Sequence, residues 1–335
     1  AAAAAGGAFV GGEAGGETAE AAATTEWEID SEELVTMGKE ASGSFGDLYR
    51  GTYYGQPVAI KVLKIQQHQN PNTLMQEFLQ ELLVMRKVRH KHILQLIGAR
   101  TKAPKLCIVT EWMAGGSVLS CLHRNRNTNR IPFAMKVAVG VAQGMDYLHN
   151  CGIVHRDLKT ANLLMDETEV VKVADFGVAR IQAHTGIMTA ETGTYRWMAP
   201  EVISHQSYDS RCDVYSYGIT LWELVTGGAV PYAGFTPLQA AVGVVQRNLR
   251  PQIPDSCPPF LVKLMQRCWE PKTADRPDFS EILQILASVE RTTLEPPPPS
   301  PAQHHAQPAS PAAAAQKSKF SSSSFMSKLG FSRRK

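Results

Sequence analysis

The run His155-Arg156-Asp157-Leu158-Lys159-Thr160-Ala161-Asn162, a short apolar hairpin, and then Asp175-Phe176-Gly177 decide how this chain is read. They bring a carboxylate, an ammonium, a carboxamide and a second carboxylate onto one short piece of chain. Asp157 can accept the proton of a hydroxyl. Lys159 can neutralise a moving anionic group. Asn162 and Asp175 offer the hard oxygen ligands that Mg²⁺ prefers. These are the groups that phosphoryl transfer needs, because its catalysis is mostly positioning and electrostatic stabilisation.

Further parts appear upstream. Gly38-Lys39-Glu40-Ala41-Ser42-Gly43-Ser44-Phe45-Gly46-Asp47-Leu48 reads as a glycine-containing turn between two strands, where backbone N–H groups can approach phosphates. The turn leads into a strand, not a helix, which disfavours a dinucleotide-binding fold. In the next strand, Val58-Ala59-Ile60-Lys61-Val62-Leu63, alternation puts Val58, Ile60 and Val62 on one face and Ala59 with Lys61 on the other. The segment Asn72 to Val88 opens with a capping-box pattern, Thr73 with Gln76, and carries Phe78, Leu82 and Met85 at helical spacing. Glu81 shares that inward face. A carboxylate facing a core is costly unless paired, and Lys61 is the partner it calls for.

Composition sets the bounds. The chain has 335 residues, 44% of them hydrophobic and 19% charged, which is ordinary for a globular protein with more than one core. A net charge of +3 is too small to imply nucleic-acid binding, and none is expected. Six cysteines without metal-ligand or Cys-x-x-Cys spacing read as reduced thiols, so a cytoplasmic or nuclear location is expected. No apolar run is long enough to span a bilayer. Residues 1–25 are an Ala/Gly-rich stretch with three acids and no Lys or Arg, read as a disordered linker. Residues 293–335 are Pro/Ser-rich with six bases, read as a disordered basic tail. The chain begins with Ala1, so it is expected to be a fragment or processed piece.

The motif H-R-D-L-x-x-x-N followed by D-F-G, with Lys61, Glu81 and Ala199-Pro200-Glu201 in order, resembles the eukaryotic-type protein kinases over about residues 34–290. Lys159 is similar to the serine/threonine type. Trp27-Glu28-Ile29, Trp197-Met198-Ala199-Pro200-Glu201 and Leu221-Trp222-Glu223 are similar to tyrosine kinases. The mixture resembles the tyrosine-kinase-like, Raf-related group. Met188 to Trp197 looks closest to its plant and green-algal serine/threonine/tyrosine kinases.

The resemblance implies an α+β, two-lobed fold. A small β-rich N-lobe with one main helix spans about 26–111, and a larger helical C-lobe about 112–292. It implies ATP and Mg²⁺, with protein Ser/Thr hydroxyls, and Tyr besides, as acceptors. Asp157, Lys159, Lys61 and Glu81 are the implied catalytic set, and Asn162 and Asp175 the metal ligands. Ala41, Ser42, Gly43, Ser44, Phe45, Gly46, Leu48, Ala59, Lys61, Thr110, Glu111, Met113 and Leu164 would line the nucleotide site. Glu111 and Met113 would offer backbone groups to adenine, and Thr110 would border the deep pocket. Ala41 and Leu48 stand where the family's loop has Gly and Val. Ala41 is the one departure that favours the alternative, a pseudokinase scaffold that binds nucleotide or partners without transfer. Glu201 would pair with Arg276, and Asp213 would anchor the catalytic loop.

Two expectations concern regulation and location. Thr189 and Thr192, with Thr185 as a weaker third, are candidate phosphosites. A phosphate there would give Arg156 a charge-assisted partner and order the loop, whereas Thr194 is expected to bond near Asp157 and Lys159. The bases of residues 317–335, with Phe320, Phe325, Met326, Leu329 and Phe331, suit a weak contact with anionic membranes.

Overall fold

A computed structural model describes residues 27–43, 46–64, 71–102, 106–124, 130–176, 180–181 and 194–294. Residues 1–26 and 295–335, which hold nearly all of the two stretches read as disordered, lie outside the described residues, as do Ser44, Phe45, Thr185, Thr189 and Thr192.

The first lobe is built on β1 (Leu34–Ser42), β2 (Gly46–Tyr53) and β3 (Gln56–Leu63), followed by α1 (Pro71–Lys87), β4 (Leu96–Arg100) and β5 (Cys107–Glu111). The five strands form one antiparallel sheet in the order β1-β2-β3-β5-β4. The two-residue period of the strands gives it two distinct faces. Val58, Ile60, Cys107 and Val109 join Ile29 in a small apolar cluster on one face. Cross-strand partners Ala41–Leu48, Leu48–Lys61 and Ala59–Thr110 fall on the other. Gly46 is required by the sheet itself, since a Cβ there would stand 2.3 Å from the Val62 carbonyl oxygen.

Helix α1 buries Phe78, Leu82 and Met85, as its spacing predicts. Its start differs from the capping-box expectation. The helix begins at Pro71, so Thr73 lies inside it and not at the cap. Proline at a first helical position has its φ already set and needs no N–H partner. A capping box does occur further on, where Thr236 accepts from Gln239 N–H and the Gln239 side chain accepts from Thr236 N–H.

The second lobe contains β6 (Gly116–Ser117), α2 (Val118–Arg124), α3 (Arg130–Asn150), β7 (Ile153–Val154), β8 (Leu163–Met165), β9 (Val171–Val173) and β10 (Arg180–Ile181). Then come α4 (Pro200–Ile203), α5 (Arg211–Thr226), α6 (Pro237–Arg247), α7 (Pro259–Cys268) and α8 (Phe279–Leu294). The apolar hairpin expected between Asn162 and Asp175 is β8–β9, antiparallel, with β6 completing a three-stranded sheet. Helix α5 is buried from Cys212 to Leu224 and forms the centre of this lobe. Helix α8 continues through Leu294, two residues into the stretch read as tail. All six cysteines are free thiols. The result is a small β-rich lobe with one main helix on a larger helical lobe, the α+β two-lobed architecture the resemblance implied.

Candidate active site

Strand β3 and helix α1 meet at one ion pair. Lys61 Nζ lies 2.8 and 3.1 Å from the two Glu81 carboxylate oxygens, and 3.7 Å from Asp175 Oδ1. Burial works to lower the Lys61 pKa, but the Glu81 and Asp175 carboxylates outweigh it, and the ammonium lies above the usual lysine range. Burial pushes the Glu81 carboxyl up against the pull of Lys61. The ammonium is thus held between the N-lobe helix and a carboxylate of the C-lobe.

Several of the residues expected to line a nucleotide site lie on the same sheet face as Lys61. Ala41, Leu48, Ala59, Lys61 and Thr110 share one sheet face by register. Gly43 N–H donates to the Gly46 carbonyl at 2.9 Å and closes the turn whose tip, Ser44 and Phe45, is not described. Leu164 lies on β8, paired with Lys172 of β9. The backbone expectation at Glu111 and Met113 needs a refinement. Glu111 N–H donates to Gln95 C=O at 3.2 Å, and Met113 C=O accepts from Gly116 N–H at 3.0 Å. The Glu111 carbonyl, which accepts from the Thr110 hydroxyl at 3.3 Å, keeps a second lone pair to offer, and Met113 its N–H. The Glu111 side chain is on the sheet face opposite Thr110, where it accepts from Lys172 at 2.7 and 2.8 Å and from Gln95 N–H at 2.8 Å.

Asp157 is the centre of the opposite wall. Lys159 Nζ donates to both its carboxylate oxygens at 2.8 Å, and Asn162 Nδ2 donates to its Oδ2 at 2.8 Å and its carbonyl at 2.9 Å. Committing the Asn162 amide nitrogen this way leaves its Oδ1 as a ligand atom. Asp175 has φ +67°, in the left-handed region that Asp tolerates better than most residues, and its carboxylate is 42% exposed. The paired hard oxygens of Asn162 and Asp175 fit a Mg²⁺ ion, which favours carboxylate, amide and phosphate donors. Phe176, next in sequence, is buried edge-on against His155.

Beneath the loop, α5 presents a polar stripe at helical spacing, Asp213, Ser216, Thr220 and Glu223. Fully buried Asp213 accepts from the backbone N–H of His155 at 2.8 Å and of Arg156 at 2.7 Å, with His149 Nε2 at 2.9 Å. Burial alone would raise its carboxyl, but His149 and these donors hold it below the usual range. Ser216 donates to the Trp197 carbonyl at 2.8 Å and Thr220 to the Leu158 carbonyl at 3.3 Å. Glu223 accepts from Thr160 N–H, the Thr160 hydroxyl and the Trp197 indole. The sequence reading missed this last role. Its signal was an acid inside an apolar helix, on the same face as Asp213.

The remaining scaffold expectations hold in geometry. Arg276 is bidentate to Glu201 at 2.6 and 2.9 Å, and the pair is buried. Thr194 Oγ1 lies 3.4 Å from Lys159 Nζ. Arg156, read as a charge in need of an anion, donates to the Tyr208 hydroxyl at 3.0 Å and is buried. Its φ is +69°.

The chain matches the family of protein tyrosine and serine/threonine kinases over residues 35–286. It is similar to two serine/threonine-protein kinases of Arabidopsis thaliana, STY46 (59% identical) and STY17 (57%), each over 268 residues, 80% of this chain and 46% of the relative. It thus spans about half the length of those relatives. The serine/threonine/tyrosine-protein kinase HT1 of the same plant is 40% identical over 273 residues, 81% of this chain and 70% of that one. With most of its length matched, the chain belongs to the protein tyrosine and serine/threonine kinase family.

Proposed function

We propose that this protein transfers the γ-phosphoryl group of ATP to Ser/Thr hydroxyls of proteins, and to Tyr hydroxyls to a lesser extent. The observation that carries the reading is Lys61, held at 2.8 Å by Glu81 and 3.7 Å from Asp175, on the same cleft as the Asp157–Lys159–Asn162 cluster. That arrangement spans both lobes and has no use in a scaffold that only binds partners.

Lys61 positions the ATP phosphates from the N-lobe side, with Glu81 fixing its direction. The carbonyl of Glu111 and the N–H of Met113 face adenine, and Ala59, Thr110 and Leu164 bound its pocket. Asn162 Oδ1 and the Asp175 carboxylate are the groups that would hold Mg²⁺, which when bound offsets phosphate charge. Asp157 orients the acceptor hydroxyl and takes its proton as the new P–O bond forms and the bond to the β-phosphate oxygen breaks. Lys159 offsets charge on the group in flight, which is why it sits on both Asp157 and Thr194. The complete charged set argues against the pseudokinase reading, and Ala41 at the loop edge removes none of it.

The test is a radiolabelled-ATP assay with dephosphorylated casein, followed by phosphoamino-acid analysis. Phosphoserine and phosphothreonine are expected to dominate. Labelling mainly on tyrosine overturns the acceptor class, and no labelling overturns the function.

A further inference from the structure

Strand β1 carries the first arm of the glycine-containing turn, yet almost nothing apolar holds it. Leu34 is half-buried, and every later residue of the strand is exposed. The strand lies at the edge of the sheet, and its pairing with β2 has two register shifts, one between Thr36 and Gly38 and one between Lys39 and Ala41. Bulges of this kind bend a strand and interrupt its ladder. One backbone bond, from Gly43 N–H to the Gly46 carbonyl at 2.9 Å, closes the turn beyond them.

Charge supplies the missing hold. Asp47 follows Gly46 on the second arm, and its side chain is 16% exposed. Its Oδ1 lies 2.8 Å from Lys39 Nζ of β1 and 2.8 Å from Lys64 Nζ, the residue after β3. Lys64 Nζ in turn donates to the Ser42 hydroxyl at 2.7 Å. One carboxylate thus joins both arms of the turn to the third strand. Lys39 and Lys64 beside it hold its carboxyl well below the usual carboxylate range, so it is charged wherever the enzyme would be assayed. Isolated surface pairs contribute little, but here two ammonium groups share one carboxylate that is mostly covered.

The cluster lies on the sheet face opposite Lys61. Asp47 pairs with Ser42 and Val62, and Lys39 with Tyr49, whereas Leu48 pairs with Ala41 and Lys61. Tyr49 and Val62 pack against the apolar cluster of that opposite face. Successive strand residues point to opposite faces, so the Asp47 carboxylate turns away from the phosphates. It acts on them through the backbone of the turn alone.

We propose that Asp47 is a positioning residue for ATP: by holding Lys39 and Lys64 together it keeps the two arms of the glycine-containing turn at the spacing that nucleotide phosphates need. The inference rests on the phosphotransfer reading above. It predicts a split between the two substrates, because the nucleotide wall depends on Asp47 and the Asp157 side of the cleft does not.

The experiment compares wild type, Asp47→Asn, Asp47→Glu, Lys39→Met and the double variant Asp47→Asn/Lys39→Met. It measures kcat and KM for ATP and for dephosphorylated casein, and the Kd of methylanthraniloyl-ATP with Mg²⁺ by fluorescence in the absence of acceptor. In Asp47→Asn, KM for ATP and the analogue Kd are expected to rise about fivefold, the upper end of what exposed ion pairs supply. The values of kcat and of KM for casein are expected to stay within about twofold. Asp47→Glu keeps the charge and is expected to return the analogue Kd to within about twofold of wild type. Lys39→Met is expected to cost about twofold to threefold, and the double variant no more than Asp47→Asn, because the two residues act as one pair. An unchanged analogue Kd in Asp47→Asn, a fall in kcat as large as the rise in KM for ATP, no recovery in Asp47→Glu, or additive losses in the double variant overturns the proposal. Failure of wild type to label casein would instead count against the phosphotransfer reading, and the analogue Kd would still test Asp47.

Discussion

In the proposed mechanism, the charge of a single side chain decides the chemistry at Lys61 and at Asp157. Lys61→Met leaves Glu81 and Asp175 without their ammonium, and Asp157→Asn removes the proton acceptor while keeping the shape. Each is expected to lower transfer to casein by roughly 10²–10⁴, with the fold intact by circular dichroism, because the electrostatic terms dominate this chemistry. Near wild-type turnover in either would refute the assigned roles. Asp213 gives a residue-scale prediction about pH. Its carboxyl is held below the usual range in the folded protein. Its stabilising contribution is therefore complete above the unfolded value of about 3.9 and is lost as pH falls through the depressed folded value. The difference in Tm between wild type and Asp213→Asn should be steady from pH 7 to about 4 and narrow below that. A gap unchanged down to pH 3 would show that Asp213 acts through packing alone.

Elements are held together by buried charge as much as by apolar contact. Arg276, 1% exposed, joins Glu201 of α4 to the Arg211 carbonyl at the start of α5 and the Glu270 carbonyl after α7. Replacing it with methionine keeps much of the volume but leaves Glu201 buried without its counter-charge. A loss of about 3–5 kcal/mol in unfolding free energy is expected from denaturant titration, the usual cost of breaking a buried pair from one side. A loss below about 1 kcal/mol would place the pair in the class of weak surface bridges. The N-lobe sheet shows the complementary case. Its two-residue alternation was legible in Val58 to Leu63, whereas the start of α1 was not. Two N-terminal signals, Pro71 and the Thr73–Gln76 pattern, competed there, and proline won because its fixed φ suits the first helical turn.

Across the whole molecule, both lobes contribute to one cleft, with Lys61 and Glu81 from the first and Asp157, Asn162 and Asp175 from the second. Thr189 and Thr192 lie outside the described residues, shortly before Thr194, whose hydroxyl reaches Lys159. A phosphate on either would add negative charge and strong acceptor oxygens, the kind of group that pairs with arginine. The phosphatase-treated enzyme and the Thr189→Ala/Thr192→Ala variant are each expected to be at least about tenfold less active than phosphorylated wild type. Full activity of the dephosphorylated double variant would remove these two residues as the switch.

Sequence alone determined the chemistry and the order of parts. Lys, Glu, Asp and Asn are common residues, but their order and spacing at 61, 81, 157, 159, 162 and 175 are specific, and periods of two and of about 3.6 residues put Lys61 beside Ala59 and Glu81 on the inward helix face before any contact was known. It also marked Asp213 and the Glu201–Arg276 pair, though only through likeness to a family. Tertiary structure decided the long-range pairings that neither periodicity nor likeness marked. Glu223 takes its donors from Thr160 and Trp197, 63 and 26 residues away, and Glu111 turns from the cleft to Lys172, 61 residues on. No local pattern encodes such pairings. A buried polar group takes whichever donor the packed elements bring within reach, and only the folded chain brings them there.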